Sequence, residues 1–179
     1  MDGKRGRFWT FSLEVYARPG VAPACLALQD RHGLDVNLLL FCCWAARQGV
    51  ELDRQAIAAA ESAVAGWRNQ VVKPLRGLRR RLKREMEGFA AAEVAPLREQ
   101  VKAIELEAER LEQARLESLL PAAGGTAETG LTLAERALRT YFRLAGVEPD
   151  DVDDRNCRAL LAGAFPEAAS QALSPAFSR

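Results

Sequence analysis

The chain has 179 residues, 49% of them hydrophobic and 27% charged, with 25 Lys and Arg against 24 Asp and Glu. That size suits a single helical domain over residues 1–179 whose core needs no disulfide staples. The longest apolar run, Leu38 to Ala46, is about half of what a membrane-spanning helix requires. The basic start leads into Phe8-Trp9-Thr10-Phe11-Ser12 rather than an apolar signal core, so the reading excludes membrane insertion and export and expects a cytoplasmic protein.

Alanine, leucine, glutamate and arginine dominate and valine and isoleucine are scarce, a balance that favours helix over strand. A first helix is predicted over residues 8–17, closed by Arg18-Pro19-Gly20, and a second over 21–31 with Gly33 as its stop. Asp35 caps a third helix that is apolar on every side through Ala46 and is therefore surrounded by the others. Asp53 caps a fourth, in which Ile57, Ala60, Val64, Trp67 and Val71 keep helical spacing. Pro74 is expected to kink or break it, after which Leu75, Leu78, Leu82, Met86 and Phe89 line one face. Val94, Leu97, Val101, Ile104, Ala108 and Leu111 then alternate steps of three and four, a seam that suits an antiparallel hairpin of 53–87 onto 93–119.

Residues 121–131 read as a flexible internal linker of small residues. Thr132 and Glu135 spell a capping box for the next helix, which Gly146 closes. The acidic turn Glu148 to Asp154 opens a last helix, and residues 166–179 read as a disordered tail. The expected fold is all-α: a compact bundle of about seven helices with one long antiparallel helical hairpin.

Cys25, Cys42, Cys43 and Cys157 show no C-x-x-C spacing and His32 is the only histidine. The thiols read as reduced core residues, and neither a metal nor a cofactor is expected. The acidic turn lacks the alternating ligands and central glycine of a calcium loop and reads as a helix cap. No phosphate-binding glycine loop, G-x-S-x-G or H-E-x-x-H occurs. No catalytic residue is assigned, and a non-catalytic role leads.

The net charge is near zero but unevenly spread: residues 1–84 hold 15 Lys and Arg against 7 Asp and Glu, residues 85–179 hold 10 against 17. Seven basic residues fall among the twelve from Lys73 to Arg84, and Lys73, Arg76, Arg79, Arg80, Lys83 and Arg84 form one stripe beside a leucine face. Such a stripe can lie along phosphates, with Trp67 and Arg68 upstream adding stacking. The competing reading pairs it with the nine acidic residues between Glu85 and Glu117, across the hairpin. A second polar cluster gathers Gln29, Asp30, His32, Asp35 and Asn37. It forms a candidate crevice with acid–base groups, set against a plain capping role at a helix–turn–helix joint.

The chain resembles a family of small proteobacterial proteins of unknown function. The likeness lies in Phe8-Trp9, Tyr16 to Val21, Cys25 to Asp30, Gly33 to Phe41, Trp44, Trp67 to Lys83 and Glu105 to Glu109, within about residues 8–165. The resemblance implies a compact bacterial cytoplasmic domain and brings no activity, cofactor or catalytic residue with it. The leading expectation is an interaction or adaptor protein that meets another protein through the long hairpin, with the oligomeric state left open. RNA or ribosome binding through the basic stripe is the alternative, and an enzyme or small-ligand binder with a pocket around residues 30–37 the second.

Overall fold

The computed structural model describes residues 6–84, 87–120, 128 and 130–168. In chain order these form α1 (Arg7–Tyr16), α2 (Val21–His32), α3 (Val36–Arg47) and α4 (Arg54–Trp67), then a π-helical turn (Arg68–Val72). There follow α5 (Lys73–Arg81), α6 (Ala91–Glu117), α7 (Gly130–Leu144), α8 (Asp151–Ala164) and a short 3-10 turn (Pro166–Ala168). The backbone from α4 through the π turn into α5 stays right-handed helical, so the described residues form seven helical rods. No strand runs among the described residues.

The helix boundaries follow local chemistry. Asp35 accepts the Asn37 N–H at 2.7 Å, Asp53 accepts that of Ala56 at 2.7 Å, and Asp150 accepts those of Val152 and Asp153. Each satisfies donors that a helix start leaves free. Asp153 returns the favour to the Asp150 N–H at 3.1 Å, so the acidic turn before α8 is a reciprocal cap. Gly20 and Gly33, with φ of 84° and 69°, bound α2 in the left-handed conformation. Thr132 and Glu135 do not start α7, which begins at Gly130, where a Cβ would meet the Phe165 ring at 2.8 Å.

α3 is the centre. Every residue from Asn37 to Ala46 is buried, with Phe8 and Phe11 of α1 packed on Phe41 and Trp44. The four thiols sit in this core, and burial pushes those of Cys25 and Cys42 up to about 12. They are protonated hydrophobes at neutral pH.

α4, the π turn and α5 pack antiparallel on α6 as the expected hairpin. Pro74 neither breaks nor ends the rod. The π turn ahead of it takes up the missing amide donor by widening the helix for one turn. The seam on α6 differs from the apolar one expected. Val101 and Ala108 are buried, but on the same face so are Glu105 between them and Glu112 one turn beyond. Leu97, Ile104 and Leu111 are 51%, 56% and 43% exposed. The hairpin closes on ion pairs because Arg76 and Arg79 of α5 reach Glu105 and Glu109, and apolar residues on the next stripe are left outside.

The predicted linker and tail fall mostly outside the described residues. Of the linker, Gly130 and Leu131 belong to α7; of the tail, Pro166 to Ala168 form the 3-10 turn. Among the described residues, no helix is long and apolar enough to cross a membrane.

Candidate functional site: a polar crevice at the foot of the hairpin

The α2–α3 joint faces the π turn and α5 across a cleft of about 330 Å³. One side carries Gln29, Asp30, Asp35 and Asn37; the other carries Arg68, Lys73, Arg76 and Arg80; Glu112 of α6 borders it as well. A smaller chamber of about 160 Å³ adjoins it, sharing Gln29, Asp35, Asn37, Arg76 and Arg80. Its other walls are largely apolar, with Trp9, Leu13, Tyr16, Leu26, Leu40 and Leu106 among them. The two form one crevice with a charged and an apolar compartment.

Asp35 organises the joint. One carboxylate oxygen caps α3 and the other accepts from Arg68 at 2.8 Å, while its backbone N–H donates to the Tyr141 hydroxyl at 2.9 Å. Arg68 also grips Glu61. The Glu61 hydrogen bond and Asp35 hold this guanidinium more firmly charged than usual, against its partial burial. The π turn places Arg68 at this junction and leaves Arg76, further along, to meet Glu105 at 3.2 Å and Glu109 at 2.6 Å.

Glu112 is only 1% exposed, and its carboxyl lies against the side chains of Asp35 and Asn37. Burial, and then the Asp35 carboxylate beside it, push its pKa up to about 9. It is held neutral at pH 7, with its O–H toward the Asp35 carboxylate. Next to it, Gln113 donates its amide to the Asn37 side chain at 2.8 Å, yet its own carbonyl oxygen is buried without a donor. The Ser12 hydroxyl, on the wall of the apolar chamber, is also buried and unpartnered. Buried polar atoms are nearly always paired, and two that are not, those of Gln113 and Ser12, meet at this chamber.

A family model described as a protein of unknown function (DUF2390) matches residues 7–116. The chain belongs to this family. No curated protein and no solved structure matches it. The DUF2390 segment spans α1 to α6 and holds every residue that lines the crevice, from Trp9 to Gln113. α7 and α8 lie outside it and pack on α3 and α2.

Within that segment the predicted crevice residues part company. Asp30, Asp35 and Asn37 line the cleft, together with Gln29. His32 does not: its Nε2 lies 2.9 Å from Asp153 of α8, with its ring edge-on to Phe142. At the last residue of α2, it is engaged by α7 and α8 and does not line the cleft.

The basic stripe is also divided. Arg76 and Arg79 are held by Glu105, and Arg76 by Glu109 too. Arg80 reaches Asp30 only at 3.4 Å between exposed groups. Lys73, Lys83 and Arg84 are exposed and make no ion pair among the described residues. Trp67, expected to add stacking, is 40% exposed and its indole N–H donates to the Ala108 carbonyl at 3.0 Å.

Ser12, Glu112 and Gln113 escaped the sequence reading. A signal existed for one of them: Glu105 and Glu112 fall seven residues apart on the same helix face as Val101 and Ala108. Among the described residues no three His, Cys, Asp or Glu side chains group so as to hold a metal ion.

Proposed function

We propose that this protein binds a small organic molecule in the crevice between the α2–α3 joint and the hairpin. The observation that carries this is the pair of buried, unpartnered polar atoms, the Gln113 carbonyl oxygen and the Ser12 hydroxyl, on the wall of the chamber that adjoins the open cleft. An unpaired buried polar group is costly, by roughly 1–3 kcal/mol. A ligand that pairs with it recovers that penalty on binding. The cleft is also of the size that small-ligand sites have, roughly 300–1,000 Å³.

Gly77 supplies the test. It lines the cleft, and a Cβ built on it meets nothing within 4 Å, so Gly77→Leu fills the cleft without disturbing packing. A fragment library screened by ligand-observed NMR is expected to give hits on the parent chain that vanish in Gly77→Leu. Hits that persist in the variant, or none at all, contradict the reading.

A second reading, an adaptor that meets another protein through the hairpin, is favoured by the outward row Leu97, Ile104 and Leu111, with Phe89 65% exposed near the hairpin turn. Such rows on a monomer surface mark docking faces. A nuclease-treated pull-down that loses a specific protein with Ile104→Asp supports it; unchanged recovery removes it. The RNA alternative draws less support, because Arg76 and Arg79 are matched by carboxylates inside the hairpin.

A further inference from the structure

The outward side of α6 carries a row that is symmetric about one residue. Glu93, Leu97, Ile104, Leu111 and Arg115 are all exposed, and at 100° per residue they fall within about 40° of one another around the helix axis. Leu97 and Leu111 stand seven residues to either side of Ile104, and Glu93 and Arg115 stand eleven. The two outer positions carry opposite charges. Glu93 accepts the Ala90 N–H at its own helix start, at 3.1 Å. The ion pairs along the outside of α6 use Arg98, Glu99, Lys102, Glu107 and Arg110, and neither Glu93 nor Arg115 has one among the described residues. Ala103 and Ala114, also exposed, flank the row with short side chains. Beside it the half-exposed Trp67 is fixed to the Ala108 carbonyl, which widens the apolar strip.

We propose that two copies of this chain pair through α6, antiparallel about a two-fold axis at Ile104. Ile104 then meets its own equivalent, Leu97 of each copy meets Leu111 of the other, and Glu93 of each meets Arg115 of the other. A two-fold contact needs a surface complementary to itself. Opposite charges at equal distances from Ile104 supply that, with an apolar centre between them. Parallel pairing would instead set Glu93 against Glu93 and Arg115 against Arg115. A seven-residue spacing drifts by about 20° per step on a straight helix, which suits the shallow crossing of paired helices. The crevice meets α6 through other residues, Leu106, Glu109, Glu112 and Gln113, so pairing does not use it and stands apart from ligand binding. One helix face is a small interface, and the expected dissociation constant is on the order of micromolar.

The test is sedimentation equilibrium of the full chain, from about 1 to about 500 µM so as to bracket that affinity. The average mass is expected to rise from the 19.6 kDa of one chain toward twice that value. Ile104→Glu sets two carboxylates face to face and should abolish the rise. Arg115→Glu sets Glu93 against a second carboxylate at both ends and should weaken pairing about tenfold. Both positions are exposed, and unchanged circular dichroism shows that the fold is kept. Diamide oxidation then reads the register, because the four native thiols are buried. Ile104→Cys should cross-link to itself, and Leu97→Cys should cross-link to Leu111→Cys in a mixture. Leu111→Cys alone should not, since its two copies would lie about 21 Å apart along the pair.

A chain that stays monomeric throughout, or a dimer that survives Ile104→Glu, overturns the proposal. Unchanged pairing in Arg115→Glu, or Leu111→Cys cross-linking to itself as readily as Ile104→Cys, overturns the antiparallel arrangement.

Discussion

The Arg68 guanidinium donates to the Asp35 carboxylate at 2.8 Å, which ties the π turn of the long rod to the first turn of the central helix. Both groups are largely shielded from water, and Asp35 is also the N-cap of α3. The pair therefore couples the position of the hairpin to the start of the core.

Arg68→Ala would leave Asp35 buried with its charge unmatched. Removing one member of a shielded pair typically costs about 3–5 kcal/mol, and the remaining exposure of Arg68 places the expected loss near the lower end. Urea unfolding of parent and variant measures it. A loss under about 1 kcal/mol would mean that the pair does not hold the hairpin to α3.

The core of this fold is legible in the residues. The unbroken apolar run through Ala46 can only be a surrounded helix, and Asp35, Asp53 and Asp150 mark helix starts by chemistry that acts within three residues. The face that α6 turns inward is not legible in the same way. Its leucines fit a heptad seam as well as Val101 and Ala108 do. What decides between the stripes is the reach of Arg76 and Arg79 to Glu105, 29 and 26 residues away in sequence. The crevice shows the same division. Asp30, Asp35 and Asn37 announce a polar joint, whereas Glu112 and Gln113 come from a distant helix and read as surface residues of an ordinary acidic stretch.

Asn37 is buried and its carbonyl oxygen accepts from Gln113. Asn37→Leu removes that acceptor and leaves the Gln113 amide without its partner, beside a carbonyl that already lacks one. The expected loss is about 1–3 kcal/mol by thermal melting. A neutral outcome would show that the Asn37–Gln113 bond is readily replaced by water.

Two glycines should respond in opposite directions. A Cβ on Gly163 of α8 would fall 2.3 Å from a Val21 methyl carbon where α8 crosses α2, so Gly163→Ala forces the helices apart and should cost about 1–3 kcal/mol. Gly77→Ala meets open space inside a helix and should stabilise by about 0.5–1 kcal/mol. Melting temperatures of the two variants, measured side by side, check both signs.

Stability should also report the state of Glu112. An unfolded glutamate releases its proton near about 4.3, whereas burial holds the folded one up to about 9. Between those values the folded chain binds one proton more than the unfolded chain. The contribution of this carboxyl is therefore full below the lower value and declines as pH rises through the window, by at most about 1.4 kcal/mol per unit. Glu112→Gln does not titrate, so its stability relative to the parent should grow steadily from pH 5 to pH 8. A difference that stays constant with pH would mean that Glu112 ionises in the folded chain as it does in the unfolded one.

A carboxyl ¹³C NMR titration of the folded chain, with the Glu112 signal assigned by its absence in Glu112→Gln, reads that ionisation directly. The buried acid beside Asp35 should keep its protonated shift through neutral pH and move only as the pH approaches about 9. A transition near the ordinary glutamate value would show a carboxylate already stabilised by its surroundings, and would contradict a neutral acid where the hairpin meets α3.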